Sequence, residues 1–204
     1  MTRIYLLRHG ETAWNAAGNR YCGRTDIPLT AIGRAQARAA SRALADVPLE
    51  AIYVSPLSRS RETGALISET RSLPLVSDSR LIEIDFGAWE GLNAAEIALA
   101  DPEGRAAWLQ EPAVARAGGT GETGREVADR MDEFLREVAM THPASSVAVV
   151  GHNTVNRIYL VASLGAPLAS YRRLALDNAS MSVLELDGRD ARWMRINDIS
   201  HLNG

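Results

Sequence analysis

The sequence predicts an α/β fold with a mostly parallel central sheet, on three observations. Short apolar stretches alternate with helical periodicities along most of the chain, as βαβ crossovers require. Three of these stretches run into arginine or histidine. Ile4 to Leu7 leads into Arg8-His9-Gly10, Ile52 to Val54 into Ser55-Pro56-Leu57-Ser58-Arg59, and Val147 to Val150 into Gly151-His152-Asn153. Finally, 204 residues, 46% hydrophobic and 23% charged, suffice for one compact domain with an inserted cap.

The first strand, about Arg3 to Leu7, gives way to a polar segment from Gly10 to Leu29 that reads as a substrate loop. Thr30 offers an N-cap, and Ile32, Ala35, Ala39, Ala43 and Leu44 recur at helical spacing until Pro48. Arg34, Arg38 and Arg42 fall four apart on this helix and read as a solvated face. A strand near Ala51 to Val54, a helix from about Ser58 to Thr70 and a short strand from Leu73 to Val76 repeat the alternation. Asp85 to Gly121 carries Gly, Trp, Pro and short helical pieces such as Asn93 to Ala100, the pattern of a cap over the site. A long helix, about Glu122 to Thr141, aligns Val127, Met131, Phe134, Leu135 and Val138 on one stripe. It leads into the strand that ends at His152. A helix carrying Val155, Ile158, Tyr159 and Val161 follows, and two closing strands, Met181 to Leu186 and Ala191 to Ile196, complete the sheet. The expected organisation is a single domain over residues 1–204 with a small helical cap insertion at about 85–121.

Composition removes several classes of function. A formal net charge of -3 lacks the basic face a general nucleic-acid binder needs. All 22 basic residues are arginine, which excludes a P-loop lysine, a Schiff-base lysine and pyridoxal chemistry. Cys22 is the only cysteine, so there is no intramolecular disulfide and no thiolate metal cluster. The four histidines lie far apart and form no zinc-type motif, so no metal is expected. The first strand starts within two residues of the N-terminus and no apolar run approaches a membrane span. A cytoplasmic protein without membrane contact is the expectation.

A phosphoryl group in transfer spreads negative charge over its equatorial oxygens, and a catalyst needs fixed positive donors around them. Arg8, Arg59 and His152 are candidates for those donors. A neutral imidazole nitrogen of His9 can attack phosphorus and form a phosphohistidine, dividing one difficult displacement into two easier ones. Glu83, in Leu81-Ile82-Glu83-Ile84-Asp85-Phe86-Gly87, reads as a strand-end carboxyl that protonates the departing alkoxide and later activates water. Each has a plainer reading alone: a surface arginine, a salt-bridging carboxylate, a core histidine. Their joint appearance after short strands is what favours the catalytic one.

These blocks resemble the histidine phosphatase superfamily, in its phosphoglycerate-mutase-like branch, over nearly the whole chain. The resemblance rests on Leu7-Arg8-His9-Gly10-Glu11-Thr12 with Trp14-Asn15, and on Gly23, Asp26, Pro28-Leu29-Thr30 and Gly33. It continues through Ser55-Pro56-Leu57-Ser58-Arg59 with Thr63, Glu83, Phe86-Gly87, Trp89-Glu90-Gly91, Gly119, Glu122 and His152. It implies a three-layer αβα sandwich, with His9 as the phosphorylated histidine. It also implies Arg8, Arg59 and His152 as phosphate ligands, Glu83 as proton donor and no metal or other cofactor. It adds Asn15 and Arg20 as phosphate-pocket contacts, and Asn153 beside His152 joins the phosphate-binding candidates.

Mutases of this family resemble one another in a Gly-Leu-Asn-Lys run and a longer cap with an Arg pair. Here the run is Gly91-Leu92-Asn93-Ala94, so the charge that would help hold a bisphosphorylated cofactor is missing. A metal-independent phosphomonoesterase acting on a small phosphorylated metabolite is favoured. A cofactor-dependent phosphoglycerate mutase is the alternative, and a non-catalytic phosphate-binding or scaffolding member a second. Trp108 to Pro112, Gly118-Gly119 and the ending Ile199-Ser200-His201-Leu202 are similar to metal-independent phosphoserine phosphatases, in which a C-terminal His helps recognise substrate. Phosphatases for α-ribazole phosphate and for sugar or glyceryl phosphates share most of the same blocks. His201 is the candidate for that role, against the plain reading of an exposed tail histidine. Cys22 reads as a bystander in the loop, and a homodimer is suggested by family analogy alone.

Overall fold

The computed structural model describes residues 1–188 and 190–203. In chain order the elements are β1 (Thr2–Arg8), α1 (Ala13–Ala16), α2 (Ala31–Ala43), β2 (Leu49–Val54), α3 (Ser58–Ser68) and β3 (Leu75–Ser77). There follow α4 (Ala94–Ala100), α5 (Pro102–Gln110), α6 (Gly124–Thr141), β4 (Ser146–Gly151), α7 (Asn153–Ser163), β5 (Met181–Asp187) and β6 (Asp190–Asp198). They form one six-stranded sheet in the order β3-β2-β4-β1-β5-β6. The first four strands in that order pair in parallel, whereas β5 runs antiparallel to β1 and β6 antiparallel to β5. The closing strands thus form a hairpin on an otherwise parallel sheet, a common edge for this fold class.

Strand periodicity divides the sheet's side chains between two cores. Ile4, Leu6, Val147, Val149 and Leu184 face one side, where they meet Val127, Met131, Phe134 and Leu135 of α6 and Val155, Ile158 and Tyr159 of α7. Leu7, Ile52, Val54, Ala148 and Val150 face the other, where Ala40 and Leu44 from the α2 end and Ile67 of α3 cover them. Helices on both faces of one sheet make the three-layer αβα sandwich. The α6 stripe is buried along its whole length, and its Thr123–Glu126 capping box satisfies the helix's first donors.

Three local features differ from the sequence reading. Gly33, Ala37, Ala39, Ala40 and Ser41 of α2 and Leu44 just after it are buried, so of the expected positions Ala39 and Leu44 face inward whereas Ile32, Ala35 and Ala43 are exposed. Glycine decides this rotation: a Cβ on Gly10 would collide with the main chain of Gly33, and one on Gly33 with the main chain of Glu11. The solvated arginine face does form, and Arg34 bridges to Glu62 of α3 and Arg38 to Glu69 at its C-terminal cap. The third strand is Leu75–Ser77, two residues later than its apolar run suggests. Glu83 is not at a strand end. Asp78 caps a 3₁₀ turn over Ser79–Leu81, and Glu83 follows it in irregular chain.

The segment 85–121 contributes Trp89, Ile97 and Trp108 to the α6–α7 core. No helix among the described residues is long and apolar enough to cross a membrane.

Candidate active site

The carboxyl ends of β1, β4 and β2 lie side by side, and Arg8, His152 and the turn to Arg59 leave the sheet there. A cavity of about 460 Å³ opens over them, with Arg8, His9, Asn15, Glu83 and Asn153 in its wall.

His9 is almost fully buried, and its Nδ1 pairs with the Gly10 carbonyl at 2.7 Å. A carbonyl can only accept, so Nδ1 carries the proton and Nε2 keeps a free lone pair. Burial, with the Arg59 and Arg8 charges adding to it, pushes the His9 pKa well below 6.5. The ring is therefore neutral at physiological pH, as a nucleophile must be.

His152 is fully buried, its ring centroid 5.1 Å from that of His9. Arg59 Nε donates to His152 Nδ1 at 3.2 Å, which leaves the proton on Nε2. That Nε2–H has no protein partner among the described residues. Burial and the neighbouring Arg59 push the pKa of His152 well below 6.5 too. It is thus a neutral donor held beside the nucleophile.

Arg8 donates from Nη1 to the Leu176 carbonyl at 2.6 Å and leaves Nε buried without a partner. Burial lowers its pKa to about 10, opposed by the Glu83 charge, so it stays cationic. Arg59, like His152, is outside the cavity lining. It is fully buried behind the cavity wall, and its guanidinium donates to the carbonyls of Cys22, Gly23 and Thr25. Asp26 reaches back to Ser58 at the start of α3, and Glu90 takes the Arg24 and Thr25 N–H groups. Arg59 and these carboxylates fix the loop over the site.

Glu83 lines the cavity and is nearly buried. Its Oε1 accepts from the backbone N–H of Ile84 and Val155, and its Oε2 from that of Thr154. The first turn of α7 thus aims its free donors at this carboxyl, as helix N-termini do for acidic groups.

The remaining candidates divide. Asn15 lines the cavity, with its Oδ1 taken by Thr12 and Asn178. Asn153 lines it with Oδ1 buried and unpartnered. Arg20 is in the wall, but its guanidinium is tied to Glu96 and the Gly91 carbonyl. His201 lies outside the cavity lining: its Nε2 pairs with the Ala179 carbonyl. The 3₁₀ turn that carries it, Ser200–Leu202, packs on α2. Cys22 lines the cavity, with its thiol pushed up to about 11 by burial, consistent with a bystander. Among the described residues no group of three or more His, Cys, Asp or Glu is arranged to hold a metal ion.

Sequence reasoning missed Arg157, Tyr171 and Arg172, all in the wall. Arg157 could have been found, because it stands four residues after Asn153 on the helix that begins there. The other two lie in a 3₁₀ turn, Leu168–Arg173, with no periodic signal.

A neutral imidazole with a free lone pair, set among arginines at parallel strand ends, is equipment for holding a phosphoryl group against histidine. The chain belongs to the histidine phosphatase superfamily: residues 4–199 match the model of its branch 1. It is 35% identical over 202 residues to phosphoserine phosphatase 1 of Hydrogenobacter thermophilus, covering 99% of this chain and 95% of that one. It is 31% identical over 210 residues to the "Probable phosphoglycerate mutase GpmB" of Serratia proteamaculans, covering 100% of this chain and 96% of that one. Its fold superposes on Bacillus stearothermophilus YhfR with a TM-score of 0.91 at 33% identity, over 99% of this chain and 100% of that chain. The protein is a phosphatase of this superfamily.

Proposed function

We propose that the protein is a metal-independent phosphomonoesterase that hydrolyses a small phosphorylated metabolite in the cytoplasm through phosphorylated His9. The observation that carries this reading is the tautomer of His9, with Nδ1–H held by the Gly10 carbonyl and the Nε2 lone pair free. In the first step that lone pair attacks phosphorus, the ester P–O bond breaks, and protonated Glu83 gives its proton to the leaving alkoxide. In the second, Glu83 takes a proton from water, the hydroxide attacks phosphorus, and the P–N bond breaks to restore neutral His9. Arg8 and the Nε2–H of His152 stabilise the charge on the equatorial oxygens. Asn15 and Asn153 line the phosphate pocket. Arg59 holds His152 and the loop and acts as a positioning residue.

Ala94 lines the cavity where the mutases' run carries lysine, and this favours hydrolysis over the mutase reaction. The test is phosphate release, in EDTA, from phosphoserine, α-ribazole phosphate, 3-phosphoglycerate and sugar phosphates, with acid-quench trapping of labelled enzyme. Release with a trapped phosphohistidine is expected. Interconversion of 2- and 3-phosphoglycerate without release would overturn the reading.

A further inference from the structure

The cavity wall also carries charge that hydrolysis of a simple ester does not use. Arg157 and Arg172 both line it, with their guanidinium carbons 5.2 and 5.1 Å from the centroid of the Tyr171 ring. That ring is fixed from behind, because Tyr171 Oη accepts from the buried Trp108 Nε1 at 3.0 Å. Cation–π contact and this anchor hold two planar forks in place without neutralising them.

Neither fork has an acidic partner among the described residues. Arg157 makes two long bonds, both of 3.3 Å, to the carbonyls of Asn153 and Leu174, and Arg172 Nε is buried without a partner. The two acids in the wall are otherwise engaged, Glu83 with the α7 backbone and Asp177 with Asn197. Burial pushes the Arg157 pKa down, opposed by Tyr171 and Glu83, and the Arg172 charge adds a smaller push in the same direction as burial. Two like charges in a half-buried wall are an unfavourable arrangement that one bound anion would relieve.

We infer that Arg157 and Arg172 form a second anion subsite, so that the substrate is a phosphomonoester bearing another anionic group, a carboxylate or a second phosphate, on its leaving alcohol. This rests on the phosphatase reading, with phosphate at His9 and the second anion at the pair. The fork geometry of arginine suits either group by bidentate bonds.

The experiment compares phosphoserine and 3-phosphoglycerate, a bisphosphate such as fructose 1,6-bisphosphate, and glycerol 1-phosphate as the ester with no second anion. Each is assayed on wild type, Arg172→Gln, Arg172→Lys and Arg157→Gln, with p-nitrophenyl phosphate as the reference ester. Wild type should prefer one anion-bearing class, and the responding class identifies the group. Arg172→Gln should lower kcat/KM for that class by about 10- to 100-fold, chiefly through KM, and change glycerol 1-phosphate and p-nitrophenyl phosphate by less than about threefold. Lys should restore part of the loss. Equal activity of wild type on glycerol 1-phosphate, or equal losses on all esters, overturns the subsite while leaving the phosphatase intact. Should no ester be hydrolysed, calorimetric binding of the same esters decides the subsite separately: selective binding lost in Arg172→Gln supports it, unselective binding overturns it. Thermal melts confirm folding, and because Arg172 makes fewer internal bonds than Arg157 it carries the decision if the latter fails to fold.

Discussion

Arg59 donates from Nε to Nδ1 of His152, and this one bond decides which nitrogen of His152 can face a phosphoryl oxygen as a donor. The same guanidinium closes the loop at Cys22, Gly23 and Thr25. Arg59→Met removes both functions. Loss of these buried charge-assisted bonds should cost about 2–4 kcal/mol, a fall in melting temperature of roughly 5–15 °C. Nitrogen NMR should show His152 drifting to a mixture of tautomers; an unchanged spectrum would remove Arg59 from its positioning role.

Substituting the nucleophile leaves no other residue to carry the phosphoryl group. His9→Ala should lose at least about 10³-fold in kcat with no trapped phosphoenzyme. Activity within tenfold of wild type, by phosphate release, contradicts the covalent route.

Glu83 should matter in proportion to how badly the leaving group needs a proton. Glu83→Gln is expected to reduce turnover of alkyl phosphates by about 10²–10³-fold and of p-nitrophenyl phosphate by less than about tenfold. It also replaces one acceptor oxygen by an N–H₂ group facing the α7 donors, so a modest loss of thermal stability accompanies it. Equal losses on both ester types assign Glu83 a structural part only.

Two neutral buried histidines make stability depend on pH with a definite sign. His9 and His152 have folded pKa values well below 6.5, so between those values and 6.5 the unfolded chain binds more protons than the folded one. Their contribution is complete above pH 6.5 and declines as the pH falls below it, by up to about 2.7 kcal/mol per pH unit for the pair. Urea midpoints between pH 8 and 5 would show the slope, and His152→Asn should remove about half of it. A midpoint that is flat over this range is incompatible with two buried neutral imidazoles.

The α/β alternation and the strand-end residues were legible in sequence because short apolar runs alternate with helical periodicities, whereas the three-layer sandwich was implied by the family resemblance. A buried parallel strand is a run of apolar residues, and the residue where the run stops is held at its carboxyl end, as Arg8 and His152 are. The orientation of α2 was not legible, because alanine serves equally well inside and outside and a backbone contact at Gly33 chose the face. Glu83 was recognised by its motif but misplaced, since the 3₁₀ turn before it breaks the periodic signal. Arg172 escaped for the same reason, and His201 stood apart from the cavity because a C-terminal residue's partners are set by tertiary docking.

The place of β1 in the sheet has a consequence for how the chain is made. Both neighbours of this first strand, β4 and β5, lie more than a hundred residues downstream. Arg8 finds its carbonyl partner 168 positions later. During vectorial synthesis the apolar Ile4-Tyr5-Leu6-Leu7 run therefore emerges well before its partners and stays unmatched until β4 and β5 leave the ribosome. Nascent chains halted before Ala179, whose N–H closes on the His9 carbonyl, should be inactive and bound by holdase chaperones.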